Sequence, residues 1–513
     1  VSSIPDFTRY VPPDVYVDPD AIPTVAPQGV DPTIVALIGQ GVGYHTYTET
    51  VSFATATSAV LSKRGINPSS LVVQGRITDP AAPGQTVPYT FAADVVGTPA
   101  DYSTTVNAAT GLDTSTVTLA RTTTGKIETS HPEVTVTYRY TDADYHALHA
   151  FDDFDSLTEV YGQPFDPANG AIQSPLALAA QIAMQNGANQ IYTVALSGTG
   201  TIQQQFIDAY GLLAGNYEVN VVVPLVDGIV DDDAVAGLMQ TFKALVENDA
   251  ADGFLRIAIM GFDKDYDPTP TDLAGVATAT SSTRVVLAWP NRLNVYNGVL
   301  NQTIEIDGYY LAAAYSGMLS SRSHEIPLTH KYPVGFIGLP TPVKQAMTKA
   351  VKNQLSGSGV CVTEVNRNGR LMIRHGLTTD FSGGVLAREI SLVRAQDALY
   401  NLVDDTLKSA NMIGLPIQDD TALRVKGICQ GALEQAKIRG LINDYNNLKV
   451  RQQSPPSGDP TIIEVRFQYK PSWPLNYILV SFSVDTNTGE STLTSVSSTA
   501  ISDAANTAAA GTS

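Results

Sequence analysis

The chain has 513 residues, 43% of them hydrophobic and 16% charged, and a formal net charge of −19. That length exceeds one core and implies roughly two to four domains. The acidic balance, with no aromatic residues clustered among the basic ones, argues against nucleic acid as a partner. No stretch of about 18 apolar residues is present to span a membrane. The opening Val1-Ser2-Ser3-Ile4-Pro5-Asp6 lacks the basic and apolar regions of a signal peptide. Cys361 and Cys429 are too few for a disulfide framework, and their apolar neighbours predict buried free thiols.

Charge is unevenly laid out. Residues 340–470 hold 17 Lys and Arg against 12 Asp and Glu, while the rest of the chain holds 14 against 38. A basic block inside an acidic chain points to a partner of opposite sign.

In chain order, Pro5, Pro12, Pro13, Pro19, Pro23, Pro27 and Pro32 forbid helix and remove ladder donors, so residues 1–32 read as an extended arm. Within it only Val15-Tyr16-Val17 can act as a short strand. Thr33–Gly39 is an apolar run ending in glycine and reads as a buried strand. Residues 51–140 are rich in Thr, Ser and Val. There Val134, Val136, Tyr138 and Tyr140 alternate with Thr135, Thr137 and Arg139, as in a small β-sandwich inserted into its host domain.

From Ser174-Pro175 onward, helical and near-continuous apolar strand patterns alternate. Strands are expected at Gln190–Leu196, Glu218–Leu225, Phe254–Met260 and Arg284–Ala288, and helices at Asp231–Glu247 and Thr271–Ala279. This is the signature of a parallel sheet covered on both faces. The last third reads as α+β. Strands at Val360–Val365 and Arg370–Arg374 flank an Asn366–Gly369 turn, helices follow near Glu389–Ser409 and Thr421–Leu441, and Ile463, Val465, Phe467 and Tyr469 alternate in a late strand before Tyr477–Val484. The expected division is an arm (1–32), an α/β domain (33–50 with 141–335), an inserted β domain (51–140), a C-terminal α+β domain (336–485) and a low-complexity tail (486–513).

These elements, in this order, resemble the contractile tail sheath proteins of myovirus-type bacteriophages and of contractile injection systems. Val11-Pro12-Pro13-Asp14-Val15-Tyr16-Val17-Asp18 is similar to the family's PGVYVEE-type opening, with Asp14 in place of its Gly. Thr33–Gly39 looks like its next strand, Asp152–Gly162 like its DF…FG-type element, and Asn169–Leu196 like the helix leading to its central sheet. Pro340–Val484 is similar to its C-terminal domain, with Gly376-Leu377-Thr378-Thr379 where many members carry GARTL. The likeness covers nearly all the chain except residues 51–140, which many members lack.

The resemblance implies a structural, non-enzymatic virion protein, assembled in the host cytoplasm and without a cofactor. Such subunits form stacked hexameric rings around a tail tube and contract to drive the tube through the host envelope. Its partners would be copies of itself, the tube protein, and baseplate and terminator proteins. It further implies that arm and C-terminal strands pair between copies through Val15, Tyr16, Val17, Ile463, Val465, Phe467, Tyr477, Leu479, Val480 and Phe482. About five ladder bonds at roughly 0.5–1.5 kcal/mol net would join each added strand. The family's inward C-terminal domain makes Arg424, Lys426, Lys437, Arg439, Lys449 and Arg451 the expected contacts to an acidic tube. The plain alternative for these cations is a solvated helix face, with Ile428, Leu433, Ile438 and Leu441 as the core-facing set.

Other readings are the sheath of a bacterial injection machine or bacteriocin, and a soluble α/β enzyme with an accessory sandwich. The enzyme would need a pocket of convergent polar groups at the strand C-termini. Its motifs are thin. Gly39-Gln40-Gly41-Val42-Gly43 is followed by Tyr44 where a dinucleotide loop needs glycine. His324-Glu325 has its next histidine at His330, so zinc spacing fails. His146, His149, Asp152 and Asp153 could share a helix face, but a surface role is the simpler account. Asp263, Asp265 and Asp267 begin like a calcium loop, yet Pro268 and Ala274 stand at its glycine and glutamate positions. Asp231-Asp232-Asp233 reads as a helix cap.

Overall fold

The computed structural model describes residues 33–41, 45–66, 68–82, 84–93, 101–107, 116–123, 125–141, 145–198, 200–412, 415–454, 460–476, 482–484 and 491–493. The chain enters through β1 (Ile34–Gly39), then runs β2 (His45–Ser52), β3 (Ser58–Arg64), β4 (Val72–Thr78), β5 (Thr86–Phe91), β6 (Tyr102–Asn107), β7 (Thr116–Arg121) and β8 (Glu133–Tyr140). It continues with β9 (His149–Phe151), α1 (Phe154–Tyr161), α2 (Pro175–Gln185), β10 (Ile191–Ala195), α3 (Ile202–Gly211), β11 (Val219–Pro224), α4 (Asp232–Ala251), β12 (Ile257–Met260) and α5 (Pro270–Thr280). Next come β13 (Val285–Trp289), β14 (Arg292–Asn297), β15 (Gln302–Asp307), α6 (Tyr309–Ser320), α7 (Thr341–Ala346), α8 (Lys349–Gly357), β16 (Val360–Val365) and β17 (Leu371–Ile373). Last are α9 (Val385–Arg388), α10 (Ile390–Ser409), α11 (Thr421–Ile438), β18 (Ile442–Gln452), β19 (Ile463–Pro471), β20 (Phe482–Val484) and β21 (Ser491–Leu493).

Eight strands form one sheet in the order β17-β16-β13-β12-β11-β1-β10-β9. Its centre is parallel, and its outermost strands, β9 and β17, run antiparallel. β1 lies between β10 and β11, which is why all six of its residues are buried. Its alternation splits the core. Val35 and Leu37 join α1, α2 and α6 on one face, while Ile34, Ala36 and Ile38 join α3, α4 and α5 on the other. Helix starts follow their caps. Ser174 accepts from the Ala177 amide before Pro175, Asp231 accepts from Asp233 and Ala234, and Thr269 accepts from Asp272. Every residue of α6 is buried. It crosses α2 so closely that a Cβ on Gly317 would stand 2.1 Å from the Ala183 carbonyl oxygen.

Residues 45–140 leave this body as two packed sheets, β2-β8-β4-β5 and β3-β7-β6, around a core that includes Phe53, Leu119, Val134, Val136 and Tyr138. The boundary expected at residue 51 moves to His45, because β2 pairs with β8 along its whole length, from His45↔Tyr140 to Ser52↔Glu133. A second correction concerns residues 360–373. Expected in the C-terminal domain, they extend the large sheet instead, β16 pairing parallel with β13. The run Val360-Cys361-Val362-Thr363 is buried on both faces, as an interior strand requires.

A separate C-terminal core gathers from the second half of α10, whose first residues, Ile390 and Val393, still pack in the large core. Leu399 and Leu402 pack on Leu433, Ala436, Leu441 and Ile442, and the antiparallel ribbon β18–β19 lies over them. β20 and β21 pair with one another, so part of the expected tail beyond residue 485 is a strand. Both cysteines are buried and unbridged.

Candidate assembly surfaces

The residues expected to pair between copies are only partly placed. Val15, Tyr16, Val17, Tyr477, Leu479 and Val480 lie outside the described residues, and of Phe482 only the backbone, in β20, is described. Ile463, Val465 and Phe467 fall on β19 and are half-buried, with Arg466, Gln468 and Lys470 exposed between and beyond them. Phe467 and Tyr469, with Tyr445 and Leu448 of β18, turn toward the α10–α11 core. One face of the ribbon is thus seated on helices. Among the described residues neither outer edge has a strand partner. The ribbon has an interior register shift where Asn447 takes a left-handed φ of 54°, and the Asn447 side-chain Nδ2 donates to Gln468 Oε1 at 2.6 Å. Strands of 11 and 9 residues span roughly 30 Å of open backbone donors and acceptors. A two-stranded ribbon is marginal alone, and open edges are templates for another strand.

The six expected tube contacts do not make one patch. Arg424 and Lys437 lie about 20 Å apart along α11. Arg424 pairs with Asp420 at 2.7 Å, and Lys437 with Asp444 at 3.1 Å while lying over the Tyr445 ring. Arg451 pairs with Glu464 at 2.8 Å, and Arg466 donates to the same carboxylate. These partners leave their mark. A hydrogen bond from Lys437 holds Asp444 below the usual carboxylate range, and bonds from Arg451 and Arg466 do the same to Glu464. Arg439 is half-buried at the end of α11. Lys426 and Lys449 are exposed, with no carboxylate partner among the described residues.

The helix face also differs from expectation. Val425, Cys429, Ala432, Leu433 and Ala436 face the core, whereas Ile438, expected there, is 85% exposed. Two residues beyond Ala436 it has turned about 200° from the buried stripe. Leu423, Leu415 and Leu475 are exposed as well. Binary patterning hides such residues, because an apolar side chain is ordinarily assigned to the core.

The chemistry-like motifs resolve into structure. His149 lies on β9 and Asp153 caps α1, so they do not share a helix face. Asp263 accepts from the Gly228 and Asp265 amides. No cluster of metal-ligating side chains occurs among the described residues. Near the C-terminal end of β13, a cavity of about 310 Å³ is lined mainly by Pro268, Pro270, Leu273, Trp289, Val343 and Met347. The side-chain N–H donors of Asn291 and Arg292 there already serve backbone carbonyls, including Lys264 O.

No family model matches the chain. It is 32% identical over 372 residues to the tail sheath protein of Mycobacterium phage Bxz1, which takes in 70% of this chain and 60% of that protein. It is 28% identical over 221 residues to the tail sheath protein of Bacillus phage SP01, over 42% of this chain and 36% of that one. Over these stretches the chain is similar to phage tail sheath proteins. The chain spans less than two thirds of the length of either relative. In fold it is similar to a chain of the anti-feeding prophage baseplate in its contracted state, with a TM-score of 0.52 at 12% identity over 67% of this chain and 90% of that chain. The six-fold symmetrised form of that baseplate gives 0.51 at 14% identity, over 67% and 89%.

Proposed function

We propose that the chain is the structural subunit of a contractile phage tail sheath. Copies stack as hexameric rings around a tail tube and shorten together to drive it through the host envelope. The role is mechanical rather than catalytic, and the partners are further copies, the tube protein and the proteins that start and end the tail.

The observation that carries this reading is the β18–β19 ribbon, seated on helices with neither edge paired among the described residues, in a chain similar to tail sheath proteins. Strand addition at those edges by residues 1–32 and by the segment after residue 476 of neighbouring copies would complete the sheet. Backbone ladders suit a lattice that rearranges without dissolving, because they persist while subunit bodies swing. The phage origin of the relatives favours a phage tail over a bacterial injection machine.

Negative-stain electron microscopy of the purified full chain, beside versions lacking residues 1–22 or 460–513, tests this. Striated hollow tubes from the full chain and none from either truncation are expected. Tubes that survive both truncations would overturn the strand-exchange mechanism. Failure of the full chain to polymerise, even on supplied tail tubes, would overturn the sheath reading.

A further inference from the structure

Thr33, where the described residues begin, is only 2% exposed, and two elements converge on it while a third holds its neighbour Ile34. The Ser320 hydroxyl, at the end of α6, donates to the Thr33 carbonyl at 2.5 Å. Arg394 of α10 donates through Nη2 to Thr33 Oγ1 at 2.8 Å and to the Leu319 carbonyl at 2.8 Å. The adjoining Ile34 amide donates to Asn220 Oδ1 of β11 at 3.1 Å. One turn along α10, Asp397 takes a two-pronged bond from Arg284, at the start of β13, with both contacts at 2.7 Å. The helix that opens the C-terminal unit is therefore tied directly to the arm's root and to the base of the sheet.

This arrangement is costly. Arg394 is 3% exposed, and its Nη1, like Glu325 Oε2, is buried with no hydrogen-bond partner among the described residues. Burial pulls the guanidinium down to about 10. An apolar side chain would avoid that penalty. What the guanidinium supplies instead is directional bonding from α10 to Thr33, where the described residues begin, and to the end of α6.

We propose that Thr33, Arg394 and Ser320 form a mechanical anchor that passes tension on the N-terminal arm directly into α10, and through α10 into the C-terminal unit, as well as into the sheet. The anchor rests on the reading that the arm links copies. Through it, pull from one copy's arm acts on the unit that carries the same copy's open ribbon, so successive links connect in series.

Single-molecule pulling on the monomeric full chain, with handles at the N-terminus and at Asn411 just past α10, tests the anchor apart from polymerisation. The native chain should show no rupture before the body unfolds. Thr33→Val with Arg394→Met should add an early low-force event, and Arg394→Lys should restore part of the lost force. Leu399→Ala, which weakens the α10–α11 core, should lower the melting temperature without that early event. Thr33→Val with Ser320→Ala removes only hydroxyls and decides the matter if Arg394→Met does not fold. Traces from the folded anchor variants that match the native trace would overturn the anchor. Absence of tubes from the native chain, with the early event present in the variants, would instead count against the sheath reading alone.

Discussion

His324 lies beside the anchor, and its burial makes an acid response calculable. Burial first, then the charges of Arg394 and Arg439, push its imidazole down to about 3, from an ordinary value of 6.5. The folded chain thus holds it neutral, while the unfolded chain protonates it below about pH 6.5. The unfolded state binds the extra proton, so stability falls as pH drops from about 6.5 toward 3 and is unaffected above that window. At pH 5 the difference amounts to about 2 kcal/mol. This is an upper figure, because His324 is partly exposed and solvent screens the two cations. For a unit of 150–250 residues it corresponds to a fall of about 4–8 °C in melting temperature.

Scanning calorimetry at pH 7.5 and pH 5 on the native chain and on His324→Gln measures it. Glutamine cannot take up the proton, so the pH-induced fall should shrink by that amount in the variant. Burial raises Glu325 and Asp397, which acts in the opposite direction, but both are present in each protein and cancel in the comparison. Equal falls in the two proteins would refute the account, since His324 would then be protonated equally in folded and unfolded chains.

Asp397→Ala leaves the half-buried Arg284 without its carboxylate and should cost about 1.5–3 kcal/mol, read as a lowered denaturation midpoint, with Arg284→Met/Asp397→Leu recovering most of it. Deleting residues 45–140 should spare folding and tube formation, because His45 and Tyr140 are paired neighbours about 5 Å apart that a short link can close. Deleting 51–140 should aggregate, as it strands six of the eight residues of β2 without β8; light scattering separates the two outcomes. Lys426→Glu with Lys449→Glu should weaken sedimentation with tail tubes at low salt more than Arg424→Glu with Arg451→Glu. The latter two cations already serve Asp420 and Glu464.

Much of the fold was legible because its elements have clean periods and caps. β1, α2, α4, α5, β13, β16 and α10 fall within a few residues of where patterning puts them. What escaped had a physical reason. α6 is apolar on every side, so it carries no amphipathic stripe to mark it as a helix. β18 reads Ile-Asn-Asp-Tyr-Asn-Asn-Leu, polar and broken by the left-handed Asn447, and only pairing with β19 makes it a strand. α3 was missed although Thr201 accepts from the Gln204 amide in the Thr-x-x-Gln start of a capping box. The anchor was invisible in principle, since Thr33 and Arg394 are separated by 361 positions. The domain boundary at 336 failed because a parallel partner can be supplied from any distance along the chain. Nothing local in residues 360–365 says that β13 is their neighbour.

The charge map takes on a different meaning once the pairs are drawn. The basic excess of residues 340–470 suggests a broad positive face, yet Arg424, Lys437 and Arg451 each meet a carboxylate of the same unit. Left over are scattered single cations such as Lys426 and Lys449, whose attraction fades beyond about 10 Å at moderate salt. In the proposed lattice that sparseness is an advantage. A sheath that gripped its tube through a dense charged face would have to break many contacts at once to move. A few screened charges can let go one at a time, while backbone ladders on the ribbon edges and the buried bonds at Thr33 keep neighbours joined. Contact with the tube would then set alignment, and the links between copies would carry the force.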